Sequence, residues 1–176
     1  VLLLATTQVH STNSQIETVI VEGRKFNLIG DAISASEGIV GQQEIQLRPT
    51  LRTGDILEQV PGMVVSQHSG SGNANQYYLR GFNLHHGTDF ATFVDNMPVN
   101  MRTHGHGQGY TDLNFIIPET IATLAYKKGP YYAEVGDFSG AGSAAMSTAD
   151  KLEHGLVEVT IGEDSFSRIL LMDSIA

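Results

Sequence analysis

The chain has 176 residues, of which 41% are apolar, enough for one domain with its own core and some length to spare. A net charge of −9 repels phosphate backbones and argues against nucleic acid as a partner. The absence of cysteine excludes a disulfide framework and any thiolate metal site, and 19 glycines with no tryptophan point to turns and close backbone approaches, not a helical bundle.

The apolar run Val1-Leu2-Leu3-Leu4-Ala5, followed by small and polar residues, reads as the tail of a secretory signal over residues 1–11, with cleavage expected near Ser11. A short buried strand is the plainer alternative. Residues 12–47 form a polar extension, interrupted by Ile16-Glu17-Thr18-Val19-Ile20-Val21-Glu22. That stretch is β-branched and tethered on both sides by flexible-looking sequence, which suits a peptide that adds to another protein's sheet edge.

From Arg48 the pattern becomes that of a folded unit, expected over residues 48–150. Thr53 is expected to cap a short helix, with Asp55 in its first turn and Ile56, Leu57 and Val60 on one face. Pro61-Gly62 ends it. Strands follow at Met63-Val64-Val65, at Tyr77-Tyr78-Leu79-Arg80-Gly81-Phe82 and at Phe90-Ala91-Thr92-Phe93-Val94. Asp95-Asn96 can supply the positive φ angles of a tight hairpin. A Gly- and His-rich stretch without period runs from Met101 to Gly109, and Pro118 can start a single helical turn. Residues 121–127 alternate, with Ile121, Thr123, Ala125 and Lys127 on one side and Ala122, Leu124 and Tyr126 on the other. A Gly-capped turn is expected at residues 131–136, and a small-residue strand or loop at 140–147. Residues 151–176 change character: two alternating strands joined by Glu163-Asp164-Ser165 follow the rhythm of a transmembrane barrel, which is also that of a soluble hairpin.

Five motifs occur in series: Ile56-Leu57-Glu58-Gln59-Val60-Pro61-Gly62, Leu79-Arg80-Gly81-Phe82, Val94-Asp95-Asn96-Met97-Pro98, Tyr126-Lys127-Lys128-Gly129-Pro130 and Val135-Gly136-Asp137-Phe138-Ser139-Gly140-Ala141-Gly142-Ser143. Over about 100 residues their order resembles the plug domain of TonB-dependent outer-membrane transporters. Two departures are Asn96 where that family usually has Gly, and Ala144-Ala145-Met146-Ser147 at the end of the Gly-rich strand. The resemblance implies an α+β fold: a small mixed β-sheet with short helices and long loops, followed by the first one or two strands of a β-barrel. A barrel of about 22 strands needs several hundred further residues. It also implies residence in the outer membrane of a Gram-negative bacterium, enclosure by the protein's own C-terminal barrel, and traction by the TonB energy-coupling protein. Ile16, Glu17, Thr18, Val19, Ile20 and Val21 resemble the TonB box that receives that traction.

Five of the seven histidines fall between positions 68 and 106: His68, His85, His86, His104 and His106. Neutral imidazoles bind zinc, copper or nickel, and no thiol competes here. If extended, His104-Gly105-His106 places two imidazoles on one side, and Asp89, Asp95 or Asp112 could add oxygen ligands. The family's outward-facing plug loops help bind substrate, so these residues are candidates for a divalent metal or metal chelate as cargo; no resident cofactor is required. A tight hydrogen-bonded loop is the competing reading, and a soluble periplasmic His-rich metal-binding module the competing function. Arg80, read as mid-strand, and Lys128, before Gly129-Pro130, are expected to pair with carboxylates of the barrel wall, because a buried cation must be paired. Tyr77, Tyr78, Tyr131 and Tyr132 read as packing residues. No catalytic residue is assigned: the chain has no Gly-x-Ser-x-Gly elbow and no phosphate loop, so it is not read as an enzyme.

Overall fold

A computed structural model describes residues 31–48, 50, 52–67, 72–152 and 154–175. The expected signal tail, the segment 16–22 and His68 lie outside the described residues. In chain order the elements are β1 (Asp31–Ser34), β2 (Glu37–Gly41), α1 (Gln42–Leu47), a 3-10 helix (Thr53–Gln59), β3 (Met63–Ser66), β4 (Gln76–Leu79), β5 (Phe82–Leu84) and a 3-10 turn (His85–Gly87). There follow β6 (Phe90–Val94), β7 (Met97–Pro98), 3-10 turns at Pro118–Thr120 and Ala133–Val135 around β8 (Ile121–Lys128), then β9 (Gly142–Thr148), β10 (Leu156–Ile161) and β11 (Ser167–Met172). The strands make a six-stranded mixed sheet in the order β1-β2-β8-β9-β6-β7, a three-stranded meander β3-β4-β5 and a hairpin β10-β11. The pairing of β6 with β9 is parallel and the other pairings are antiparallel. This is the α+β arrangement the motifs imply.

One apolar core joins the two larger sheets. Val40, Leu124, Tyr126, Ala144 and Met146 line the inner face of the six-stranded sheet. Met63, Tyr77, Leu79 and Leu84 come from the meander, and Ile56, Leu57 and Val60 from the 3-10 helix between them. Each such aliphatic side chain contributes roughly 1.5–3 kcal/mol by leaving water. The expected apolar face of the helix is therefore correct, but its cap is not. Arg52 holds the N-cap position without a side-chain cap, and the Thr53 hydroxyl instead donates to Asn114 Oδ1 at 3.3 Å.

Three further expectations are corrected. The segment Tyr77-Phe82 is not one strand. Arg80 (φ +50°) and Gly81 (φ +84°) form the two-residue turn between β4 and β5, with both positive φ angles that such a hairpin needs. Along β8, alternation breaks at Ala122, where Ile121 pairs with Thr148 but Thr123 with Ser147. This bulge turns Ile121 to the core face together with Leu124, Tyr126 and Lys128. The folded unit also begins before residue 48, because β1 and β2 extend the main sheet through the β2–β8 ladder. The turn Asp95-Asn96 forms as expected, at φ +47° and +65°. Its carboxylate accepts the Thr148 N–H at 2.9 Å and hydroxyl at 2.8 Å, and these bonds hold the Asp95 carboxyl below its ordinary range.

Gly142 marks the tightest approach in the sheet. Its φ is +142°, and a Cβ there would lie 2.3 Å from the Lys127 carbonyl oxygen. Of the four tyrosines read as packing residues, Tyr77 is fully enclosed, whereas Tyr131 is 80% exposed and packs no core.

Candidate functional site

The structure gathers three imidazoles. His85 and His86 sit on the 3-10 turn after β5, and His106 lies in the loop leading to Tyr110. Their ligand-type nitrogens all fall within 4.8 Å of one another. The His85 and His106 rings stack with centroids 5.1 Å apart, and His86 meets each of them edge-on. His85 and His106 are exposed, whereas His86 is 3% exposed. His86 Nδ1 lies 2.7 Å from the Ala74 carbonyl oxygen. A carbonyl only accepts, so Nδ1 carries a proton and donates it there.

A hydrogen-bonded frame fixes this geometry. Asn100 Oδ1 accepts the Thr92 N–H at 2.7 Å. Its Nδ2 lies within 3.2 Å of the Gly87, Phe90 and Gly109 carbonyls and 2.8 Å from the Thr111 hydroxyl. The Thr111 N–H donates to the His86 carbonyl at 2.8 Å, and the Ala74 N–H donates to the Tyr110 hydroxyl at 2.8 Å. One amide side chain thus ties the turn bearing His85 and His86 to the loop bearing His106. Asn100 carried no motif, and only the density of small and polar residues around it could have singled it out.

His104 takes another place. The chain bends at 104–106 instead of extending, with the Gly107 N–H donating to the His104 carbonyl at 3.2 Å. The His104 ring stacks on Tyr110 at 3.9 Å, and its Nδ1 accepts the His106 N–H at 3.1 Å. The two imidazoles therefore do not act from one side as extended geometry would have it. Nor do the acidic candidates join the cluster: Asp95 holds Thr148, and Asp112 Oδ1 accepts from the Asn114 backbone and side chain. Among the described residues the gathered metal-ligating groups are the three imidazoles.

The two cations expected to face a barrel wall have partners within the described residues. The Arg80 guanidinium donates to Ser36 Oγ at 3.0 Å and to the Ala35 carbonyl at 3.4 Å, bracing the β4–β5 turn against the β1–β2 turn. Lys128 is buried. Its ammonium donates to the Pro61 carbonyl at 3.3 Å and lies 5.4 Å from the Tyr126 ring, while burial and then the Arg80 charge hold its pKa below the usual lysine range.

The cation that links the sheet domain to the terminal hairpin is Arg168. Its Nη1 and Nη2 donate to Glu119 Oε1 and Oε2 at 2.7 and 2.9 Å, and Nη1 lies 3.4 Å from Glu158. Burial raises the Glu119 carboxyl, but the two-pronged Arg168 contact outweighs it and leaves the group below its ordinary value. The hairpin's other face is apolar and bare: Val157, Val159, Ile169 and Leu171 are 70, 62, 77 and 74% exposed. They form the directly opposed pairs Val157–Leu171 and Val159–Ile169. Among the described residues no helix is long and apolar enough to cross a membrane.

A small mixed sheet with long loops is thus joined by an ion pair to a hairpin whose inner face is mixed and whose outer face is apolar and exposed. Comparison with known families matches residues 31–143 to the TonB-dependent receptor plug domain. The chain belongs to that family. It is similar to the vitamin B12 transporter BtuB of Vibrio vulnificus (strain CMCP6), with 27% identity over 167 residues covering 93% of this chain and 26% of BtuB. Its fold is similar to the siderophore receptor PirA from Acinetobacter baumannii, with a TM-score of 0.55 and 23% identity over 75% of this chain and 20% of PirA. It is likewise similar to the copper transporter OprC, with a TM-score of 0.52 and 21% identity over 74% and 19% of the two chains. The chain thus spans about a quarter of the curated relative's length.

Proposed function

We propose that this chain is the plug of a TonB-dependent outer-membrane receptor that imports a scarce substrate, a metal ion or metal chelate, into a Gram-negative bacterium. In this reading residues 151–176 begin the barrel, with Val157, Val159, Ile169 and Leu171 facing lipid and Arg168 facing inward to Glu119. The observation that carries it is this two-sidedness: one hairpin face bare and apolar, the other ion-paired to the sheet domain. Lipid-facing and lumen-facing residues alternate in outer-membrane strands. Cargo named for the similar proteins includes vitamin B12, siderophores and copper, and the gathered imidazoles favour the metal end of that range. Ile16 to Val21 would pair as an added strand with TonB.

The alternative, a soluble periplasmic metal-binding module, is disfavoured because it leaves that apolar face in water. The test uses the full-length receptor with Val19→Cys in cells with and without TonB. The reading expects an outer-membrane protein that cross-links to TonB through position 19. Recovery from the soluble periplasmic fraction, with no cross-link, would overturn it.

A further inference from the structure

We infer that His85, His86 and His106 form a binding site for a bare divalent transition-metal ion of the zinc and copper class, held through three imidazole nitrogens. As a statement about cargo this rests on the receptor reading; as a statement about a metal site it does not.

The first support is spacing. A zinc–nitrogen bond is about 2.0–2.1 Å, so tetrahedral ligands stand roughly 3.3 Å apart. The three nitrogens already lie within 4.8 Å. The two side chains that would move to close that gap, His85 and His106, are exposed.

The second support is the state of His86. Metal-bound histidines characteristically donate the other ring N–H to a carbonyl or carboxylate, which fixes the tautomer and aims the ligand nitrogen. His86 does this toward Ala74. It also holds a left-handed backbone, φ +55°, a strained conformation for a non-glycine residue. Asn100 and Thr111 maintain that strain, and its effect is to point a buried imidazole at two exposed ones.

Donor chemistry then sets the class of ion. Three neutral nitrogens without a carboxylate suit zinc, copper(II) or nickel, and do not suit calcium or magnesium, which take oxygen ligands. Three protein ligands leave a position open, so the ion can exchange with water or with an incoming donor. A chelate whose own donors fill the coordination sphere would gain nothing from such a site. His104 is a positioning residue here: it holds the His106 backbone through Nδ1 and stacks on Tyr110.

The test is calorimetric titration of ZnCl2 into the detergent-solubilised full-length receptor after chelator stripping, with copper(II) electron paramagnetic resonance as a second readout. The wild type should bind one zinc per chain and show nitrogen hyperfine structure from copper. His85→Ala and His106→Ala should each lower affinity at least about tenfold and simplify that structure. His86→Asn tolerates the left-handed backbone and can still donate to Ala74, so it should act in the same direction without unfolding the turn. His154→Ala, just before the hairpin, should leave binding unchanged. Unchanged affinity and hyperfine structure in His85→Ala and His106→Ala would overturn the inference. TonB cross-linking in a receptor that binds no zinc through these residues also refutes the site while leaving the receptor reading intact. Zinc bound by the three histidines in a protein that never reaches the outer membrane supports the site and sinks the receptor reading instead.

Discussion

Replacing Glu119 by Gln removes the charge from the contact that joins the sheet domain to the terminal hairpin. The pair is bidentate, at 2.7 and 2.9 Å, with side-chain exposures of 32% for Arg168 and 19% for Glu119. Exposed ion pairs contribute about 0–1 kcal/mol, and breaking fully buried ones costs about 3–5 kcal/mol. Partial burial and the residual Glu158 neighbour at 3.4 Å place this pair near the low end. A coupling of roughly 1–2 kcal/mol is expected. The assay is a double-mutant cycle of Glu119→Gln and Arg168→Gln in the full-length receptor, following urea-induced exposure of the plug by limited proteolysis. The pH dependence follows from the lowered Glu119 carboxyl. A depressed folded pKa gives stability that is fully present above the unfolded value of 4.5 and lost as pH falls through the folded value. The coupling should therefore hold at neutral pH and fade as pH falls below 4.5 through the lowered folded value. A coupling within about 0.3 kcal/mol of zero at pH 7, or one that does not change in acid, would refute the clamp.

Asn100→Ala should destabilise the plug by roughly 2–4 kcal/mol in urea melts, because it orphans the Thr92 N–H and removes the two Nδ2 donors that bridge the loop carbonyls. The same variant should loosen the histidine cluster and show it as faster amide exchange at Thr111. Gly142→Ala should cost at least about 2 kcal/mol, since its Cβ would collide with the Lys127 carbonyl in a left-handed backbone; full retention of stability would mean β8 and β9 are spaced more widely. Tyr77→Phe should be neutral or stabilising by up to about 1 kcal/mol. Its hydroxyl is buried without a hydrogen-bond partner among the described residues, and that burial raises its pKa.

Strands with local alternation and turns with local chemistry could be read from the sequence. Asp95-Asn96 and Pro118 carry their turn geometry in their own residues, and Ile56, Leu57 and Val60 declare a buried face by spacing alone. What stayed hidden depends on partners far along the chain. Arg80 looks like a strand residue because Tyr77, Leu79 and Phe82 alternate around it. Its turn is set by Gly81 and by Ser36, which lies in a hairpin that local pattern did not reveal. The bulge at Ala122 exists only against β9. The histidines stood out by density, but their grouping did not: His104 and His106 are neighbours in sequence, yet His106 faces His85 and His86 because Asn100 and Thr111 fold one loop over another turn. Glu119 and Arg168, 49 residues apart, gave no local signal at all.

Whether this clamp exists inside a membrane barrel can be measured directly. Glu119→Cys and Arg168→Cys, placed together in the full-length protein, can be treated with a short bismaleimide in isolated outer membranes. The expected result is an internal cross-link in a membrane-embedded, heat-modifiable protein. Independent modification of both cysteines with no cross-link, or a protein absent from those membranes, would contradict it.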